Sequence, residues 1–440
     1  MRCKFLFMAA LLGALGAGPI QAEDLLEVYG LAAESDPTVR AQVASQLANR
    51  EAVPQARSNL LPALSLSAST NYNNLRRNEN FNTNNAEISL VQPVYRRDRL
   101  YLYQQAGSVV SQADAQLEAA RQDLIIRTAE GYFGLLDAEV ELGFRVAEKN
   151  AIARQLEQAQ RRFEVGLVTI TDVYEAQARY DRAAADEIIS RNDRSDAQEA
   201  LRQIAGQSVT SIEFLSADLP LMTADPHDVE AWVAEALARN PQVQAGRYAV
   251  DVARSEIEVQ RSGHYPNVDA VASYFDDNTG APGGQDLEGG SLGLQLQLPI
   301  DVGGGVRSRT REAVHRRDQA QEQLEEITRS IERQTRDAFR NLDATVSFVQ
   351  AVSQAVVSTQ SGFEATQAGF DVGTRTIVDV LNSERDLLAS RRDYEVARNA
   401  HLLNRLRLRQ AAGTLGYNDV QEINAYLQPK RYDWLSYAEE

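Results

Sequence analysis

The residues of this 440-residue chain best suited to metal ligation or proton transfer are four histidines, His227, His264, His315 and His401. No HExxH or comparable ligand spacing relates any two of them, so they are expected at surfaces or turns. The only cysteine, Cys3, precedes an apolar stretch that reads as removable. Disulfides, zinc–thiolate sites, iron–sulfur clusters and cysteine nucleophiles are therefore excluded from the mature chain. Gly303-Gly304-Gly305 follows a strand-like run, but no Gly-Lys-Ser/Thr comes after it, and a turn into a helix is the simpler expectation. Carboxylate pairs abound among 62 acidic residues, so pairing alone carries no weight. No enzyme site, metal or cofactor is expected.

The charge balance bears on partners. Acids outnumber the 45 basic residues to give a formal charge of −17, which disfavours nucleic acid. Apolar residues make up 43% and charged residues 24%, so the composition is not that of a disordered chain. Mean hydropathy is −0.38. Beyond residue 22 no apolar run is long enough for a transmembrane helix, which rules out a polytopic helical membrane protein but not a β-barrel. Residues 1–22 read as a secretory signal, with Arg2 and Lys4 ahead of the apolar stretch Phe5 to Leu15 and a cleavage point after Ala22. Its removal takes the charge from −17 to −19.

Two halves share one layout. No proline stands between Pro93 and Pro220, or between Pro299 and Pro429, so each half holds a block of long helix. Asp36-Pro37, Pro62, Pro93, Val165-Gly166, Asp172-Val173 and Leu201-Arg202-Gln203 recur 204 to 207 positions later. The later copies are Asn240-Pro241, Pro266, Pro299, Val372-Gly373, Asp379-Val380 and Leu408-Arg409-Gln410. A nearly constant offset indicates an internal duplication. The first repeat is expected at 23–215 and the second at 229–420, with a linker at 216–228 and a tail at 421–440. Each repeat opens with a helix of about 25 residues (38–60 and 242–263). Two strands follow, at 63–72 and 87–95 and again at 267–275 and 291–300. Asn- and Gly-rich loops separate them, and long helices broken at Val-Gly come next.

Leu292, Leu294, Leu296 and Leu298 alternate with Gly293, Gln295 and Gln297, and the runs have the length of tilted membrane strands. Four strands cannot close a barrel, and open edges are not viable in lipid. Either these are soluble hairpins, or several chains contribute four strands each. The helices carry a coiled-coil seam at positions 320, 324, 327, 331, 334, 338, 342, 345, 349, 352, 356, 359 and 363, in steps of four and three that alternate except for two successive fours at 334, 338 and 342. Ala106, Val110, Ala113, Leu117, Ala120 and Leu124 follow the same steps. A helix from 97 to 165 would be roughly 100 Å long. A periplasmic coiled-coil scaffold and a helical conduit hung from a membrane barrel both fit.

Residues 161–173, RRFEVGLVTITDV, and 370–381, FDVGTRTIVDVL, resemble the repeated signature of the TolC family of outer-membrane efflux and secretion channels. The resemblance runs from EDLLEVYGLA at the start of the mature chain to LGYNDV at Val420. It implies an α+β membrane protein, a homotrimer whose twelve-stranded barrel takes four strands from each chain and continues as an α-helical coiled-coil barrel across the periplasm. The implied role is a passive exit duct for tripartite drug efflux or type I secretion. A periplasmic adaptor and either an RND-type pump or an ABC exporter would open it.

The resemblance also assigns residues. Val165, Gly166, Leu167, Val372, Gly373 and Thr374 resemble the tip motifs that dock the adaptor, although a glycine of positive φ is what any helix–helix turn needs. Asp379 matches one of two acidic rings at the periplasmic aperture. The second ring is normally Asp and is Asn382 here, which on a formal count halves the charge from about six to three. Arg375 resembles the arginine that locks the mouth against Thr171 and Asp172. Gln155 and position 370 resemble a further link, normally Gln to Tyr, and here Phe370 has no hydroxyl to supply.

Overall fold

The structure is a computed structural model and describes residues 23–74, 80–281 and 283–429. The expected signal segment, Trp434 and Tyr437 lie outside the described residues. In chain order the first half has α1 (Leu25–Ser35), α2 (Pro37–Arg50), α3 (Ala52–Ser58), β1 (Ala63–Asn74), β2 (Asn80–Tyr95), α4 (Arg97–Glu164), α5 (Ile170–Ala205) and β3 (Phe214–Leu215). The second has α6 (Val229–Arg239), α7 (Pro241–Arg261), β4 (Asn267–Thr279), β5 (Leu287–Gln297), α8 (Gly305–Asp371), α9 (Ile377–Ala411), α10 (Tyr417–Asn424) and β6 (Leu427–Gln428).

The landmark Asp36-Pro37 and its counterpart Asn240-Pro241 are helix starts. In each the first side chain accepts a backbone N–H, from Val39 and Gln242 respectively, and proline takes a position where no N–H is needed. The expected single helix over 38–60 is instead two, α2 and α3. Pro54 has no N–H to offer the Arg50 carbonyl, and the chain breaks at Glu51 between them. Four other prolines mark joints between strand and helix. Pro62 and Pro266 precede β1 and β4, Pro299 follows β5, and Pro93 sits where a register shift ends the β2–β4 ladder.

The four long strands form one antiparallel sheet in the order β1-β2-β4-β5. They reach further than expected, into both intervening loops, with Asn71 opposite Thr83 and Asn73 opposite Phe81. β5 ends at Gln297, short of the expected 300. Leu64, Leu90, Ala272 and Leu292 form one row across the sheet, and Ser65, Ser89, Ser273 and Ser291 form the next. Successive residues point to opposite faces. One face therefore carries Leu64, Leu66, Ile88, Leu90, Leu292, Leu294 and Leu296, all exposed at 40% or more. The other carries the serines, whose hydroxyls pair at 2.7 Å (Ser65 with Ser89) and 2.9 Å (Ser273 with Ser291).

Each strand is continuous with a helix: α3 leads to β1, β2 to α4, α7 to β4 and β5 to α8. These helices pack in the matching order, α3 on α4, α4 on α7 and α7 on α8. α4 has 68 residues and α8 has 67, each roughly 100 Å long. Along the seam on α8 every position is buried or half-buried except Gln334.

The main core lies at mid-length. There Ile125, Ile126, Tyr132, Phe133 and Leu136 of α4 meet Leu201 of α5, Leu402 and Leu406 of α9, and Leu25 and Val28 of α1. The tail is packed into it through Val420, Ile423 and Leu427, and β6 pairs with β3. The joining segment is anchored too, since the Ser216 N–H donates to the Tyr426 carbonyl and Leu219 is in the core. His227, His264 and His315 are exposed as expected, but His401 is fully buried in this core. Its Nε2 accepts the Met222 N–H at 3.2 Å, and burial, helped by Arg405, lowers its pKa and keeps the ring neutral. It is a structural imidazole, because its packing on α9 places it inward.

Candidate functional site: the paired helical tips

The two ends opposite the sheet are built alike. At the end of α4 the Gly166 N–H donates to the Phe163 carbonyl (2.9 Å) and the Leu167 N–H to the Arg162 carbonyl (2.8 Å). At the end of α8 the Gly373 N–H donates to Phe370 (3.0 Å) and the Thr374 N–H to Gly369 (2.8 Å). Both are Schellman closures, which require a left-handed residue, and φ is +76° at Gly166 and +80° at Gly373. No atom lies within 4 Å of where a Cβ would stand at either glycine, so the dihedral alone demands the residue.

Three residues later the return helix begins in the same way. Thr169 caps α5 and Thr376 caps α9, each within a capping box completed by an aspartate. Asp172 Oδ2 accepts the Thr169 N–H and hydroxyl, both at 2.8 Å. Asp379 Oδ2 accepts the Thr376 N–H at 2.9 Å and hydroxyl at 2.8 Å. These bonds hold both carboxyls below the ordinary range, the backbone N–H contributing most and the hydroxyl next, with Arg375 adding to the effect at Asp379. The repeated Val-Gly-x-x-Thr-x-x-Asp is thus a helix stop followed by a helix start. The Thr-x-x-Asp half was legible as a capping box and was missed.

The turns present apolar side chains outward: Val165, Leu167 and Val372 are 69%, 74% and 75% exposed. Thr374, Arg375 and Thr171 are exposed as well. Within one chain no bond joins Arg375 to Thr171 or Asp172 among the described residues, and the Asp172 carboxylate is already engaged by its cap.

A cleft of about 260 Å³ between the α4–α5 and α8–α9 coils brings together Gln155, Asp172, Phe370 and Thr376, with Arg162 and Leu381. The Arg162 guanidinium stands 4.9 Å from the centre of the Phe370 ring. Gln155 Oε1 is buried there without a hydrogen-bond donor among the described residues. A second cleft of about 480 Å³ lies further from the tips and is lined by Glu148, Arg179, Asn382, Glu384 and Arg385. Asn382 Oδ1 accepts from Arg179 at 3.3 Å, a contact absent from the sequence reading. Among the described residues four ion pairs also tie α4 to α9: Arg154–Glu384 (3.6 Å), Arg385–Glu148 (3.3 Å), Arg392–Glu141 (3.2 Å) and, nearer mid-length, Arg407–Glu130 (2.8 Å). Burial raises the Glu384 carboxyl, with Arg154 opposing it. No periodicity marks these cross-coil partners, because they depend on how two helices far apart in sequence are set side by side.

Comparison with known proteins completes the description. The family model described as "Outer membrane efflux protein" matches twice, over residues 28–207 and 232–414. The chain is 38% identical to the outer membrane protein TolC of Vibrio cholerae over 429 residues, spanning 96% of this chain and 98% of that protein. It is 28% identical to the alkaline protease secretion protein AprF of Pseudomonas aeruginosa, over 91% of this chain and 86% of that protein. Among solved structures, the outer membrane protein VceC of Vibrio cholerae superposes with a TM-score of 0.76 at 20% identity, covering 88% of this chain and 96% of that one.

Proposed function

The chain belongs to the outer membrane efflux protein family and is an outer-membrane efflux and secretion channel, and from that premise we propose that three copies close into a single passive exit duct. The observation that carries this reading is the sheet. β1 and β5 are bare edges, one face is a leucine column and the other is polar. Such a sheet suits lipid only when every edge is paired, which three copies achieve as twelve strands in one barrel. The leucine face then meets lipid and the serine face lines the lumen. α4 and α8 exceed the roughly 30 Å of a bilayer core several-fold. They continue the barrel through the periplasm as a helical tunnel. The soluble scaffold reading has no use for either face.

The chain is read as a signal peptide (1–22), two structural repeats (23–215 and 229–420) joined by 216–228, and a tail (421–440). An internal duplication accounts for the two family matches and the twice-built tip. As a member of a channel family it transports rather than catalyses. The tips would meet a periplasmic adaptor through Val165, Gly166 and Leu167 and through Val372, Gly373 and Thr374, whose apolar exposure suits a protein surface. An inner-membrane pump or ATP-driven exporter would supply the energy.

At the mouth Asp379 supplies the aperture's charge, three copies giving about three negative charges, and Asn382 supplies none. Arg375 would lock the mouth by reaching Thr171 and Asp172 across the coils, a bond that one chain alone does not make among the described residues. Gln155 and Phe370, which line one cleft, would make a link that here lacks its hydroxyl. The test is single-channel conductance of the purified protein in a planar bilayer, beside Arg375→Ala. Small cation-preferring openings that grow in the variant are expected. Unchanged conductance would discard the lock, and no conductance from a folded trimer would discard the duct.

A further inference from the structure

Most arginines among the described residues pair with an acid, many of them one helical turn away, as in Arg316–Glu312 (2.7 Å) and Arg329–Glu325 (2.7 Å). The joint between sheet and helices departs from that habit. Arg57 on α3 and Arg307, Arg309 and Arg311 on the first turns of α8 are exposed and form no ion pair among the described residues. Arg99 on α4 only donates to the Asn59 carbonyl (2.5 Å). Against these five stand Asp98, half-buried on α4, Asp269, already bound by Arg96 (2.6 Å), Glu312, paired with Arg316 (2.7 Å), and Asp301, whose carboxylate already accepts the N–H groups of Val306 (3.0 Å) and Arg307 (3.3 Å).

Next to the arginines, on the sheet side, the chain is apolar and bare. Leu61 is 50% exposed, Val94 60%, Leu298 58%, Ile300 81% and Val302 92%. An apolar belt bordered by cations is the pattern of a membrane's polar interface, where guanidinium groups meet lipid phosphates.

The strand order decides where the arginines meet. Within one chain α3 and α8 flank opposite sides of the helical layer, because α3 leads into edge strand β1 and α8 leaves edge strand β5. Closing the barrel lays β5 of one protomer against β1 of the next. That step sets the first turns of α8, where Arg307 and Arg311 share one face, beside the neighbouring protomer's Arg57 and Arg99. Like charges gathered at a subunit seam repel unless an anion lies between them. We propose that each subunit seam at the base of the barrel binds the phosphate of an anionic phospholipid from the periplasmic leaflet, held by arginines from two protomers. The inference rests on the trimeric reading above.

Native mass spectrometry of the full-length trimer in detergent tests it, with phosphatidylglycerol and phosphatidylcholine as probes. Wild type should retain phosphatidylglycerol in preference to phosphatidylcholine. Removing one arginine from the seam should weaken that retention about fivefold. Arg307→Gln and Arg57→Gln should act alike, although the two residues lie far apart in one chain. Equal retention of the two lipids by an intact trimer would overturn the inference alone, and a monomeric mass would remove the trimeric premise and the seam with it. An effect of Arg307→Gln but none of Arg57→Gln would overturn the two-protomer seam. Displacement of the lipid by an equal concentration of inorganic phosphate would overturn the membrane as the source.

Discussion

Phe370→Tyr should hold the mouth shut. Gln155 Oε1 is buried without a donor, and Phe370 lines the same cleft of about 260 Å³, which has room for one added oxygen. A new neutral hydrogen bond contributes about 1 kcal/mol net. If the three chains of a duct open together, the closed state gains about 3 kcal/mol, which is roughly a hundredfold in the closed-to-open ratio. The Arg162 contact with the ring face survives, because the hydroxyl is added at the ring edge. Closed dwell times in planar-bilayer recordings measure the effect directly. Gln155→Leu supplies the control: it should change little in the wild type, where the acceptor is already unpaired, and should abolish the effect of F370Y. Dwell times unchanged by F370Y, or lengthened equally with Gln155→Leu present, would refute the reasoning.

Asn382→Asp should raise the cation-over-anion permeability ratio, but only modestly, because Arg179 at 3.3 Å would pair with the new carboxylate; Asn382→Asp with Arg179→Ala should raise it further, read from reversal potentials in a salt gradient. Gly373→Ala should loosen its turn by about 1 kcal/mol, since the site has space but φ is +80°, and faster amide exchange confined to the α8–α9 turn would report it. Asp137, hydrogen-bonded by Asn399 at 2.7 Å, has its carboxyl pushed up to about 6 by burial, with that hydrogen bond opposing. Because its folded pKa lies above the unfolded value, its contribution is fully present below about pH 4 and is lost as pH rises through 6, by about 3 kcal/mol. Asp137→Asn should therefore raise the melting temperature at pH 7.5 and flatten its dependence on pH between 4 and 6, as thermal denaturation will show.

How much of this was legible depended on the kind of signal. Proline spacing and the four-three seam announced the long helices, because both are properties of one continuous segment. The strands were found but cut short: Asn73, Asn82 and Asn84 read as loop, since asparagine favours turns, yet the ladder runs through all of them. The tips were found as breaks and assigned to docking and charge, while Asp172 and Asp379 also proved to be caps. Residues whose meaning depends on a distant neighbour left no trace. His401 in the core, Arg179 beside Asn382 and the α4–α9 ion pairs are of this kind.

The order of the sheet has a consequence for the timing of biogenesis. β2 pairs with β4, yet α4, α5, α6 and α7 separate them along the chain. As the chain is exported amino terminus first, the β1–β2 hairpin emerges with both outer edges bare and its leucines in water. It waits through the whole of the first repeat before its second neighbour is delivered. An isolated two-stranded hairpin is marginal in water. The sheet therefore cannot be completed until the second repeat has delivered β4 and β5, and on the trimeric reading its β1 and β5 edges wait longer still, for a neighbouring protomer.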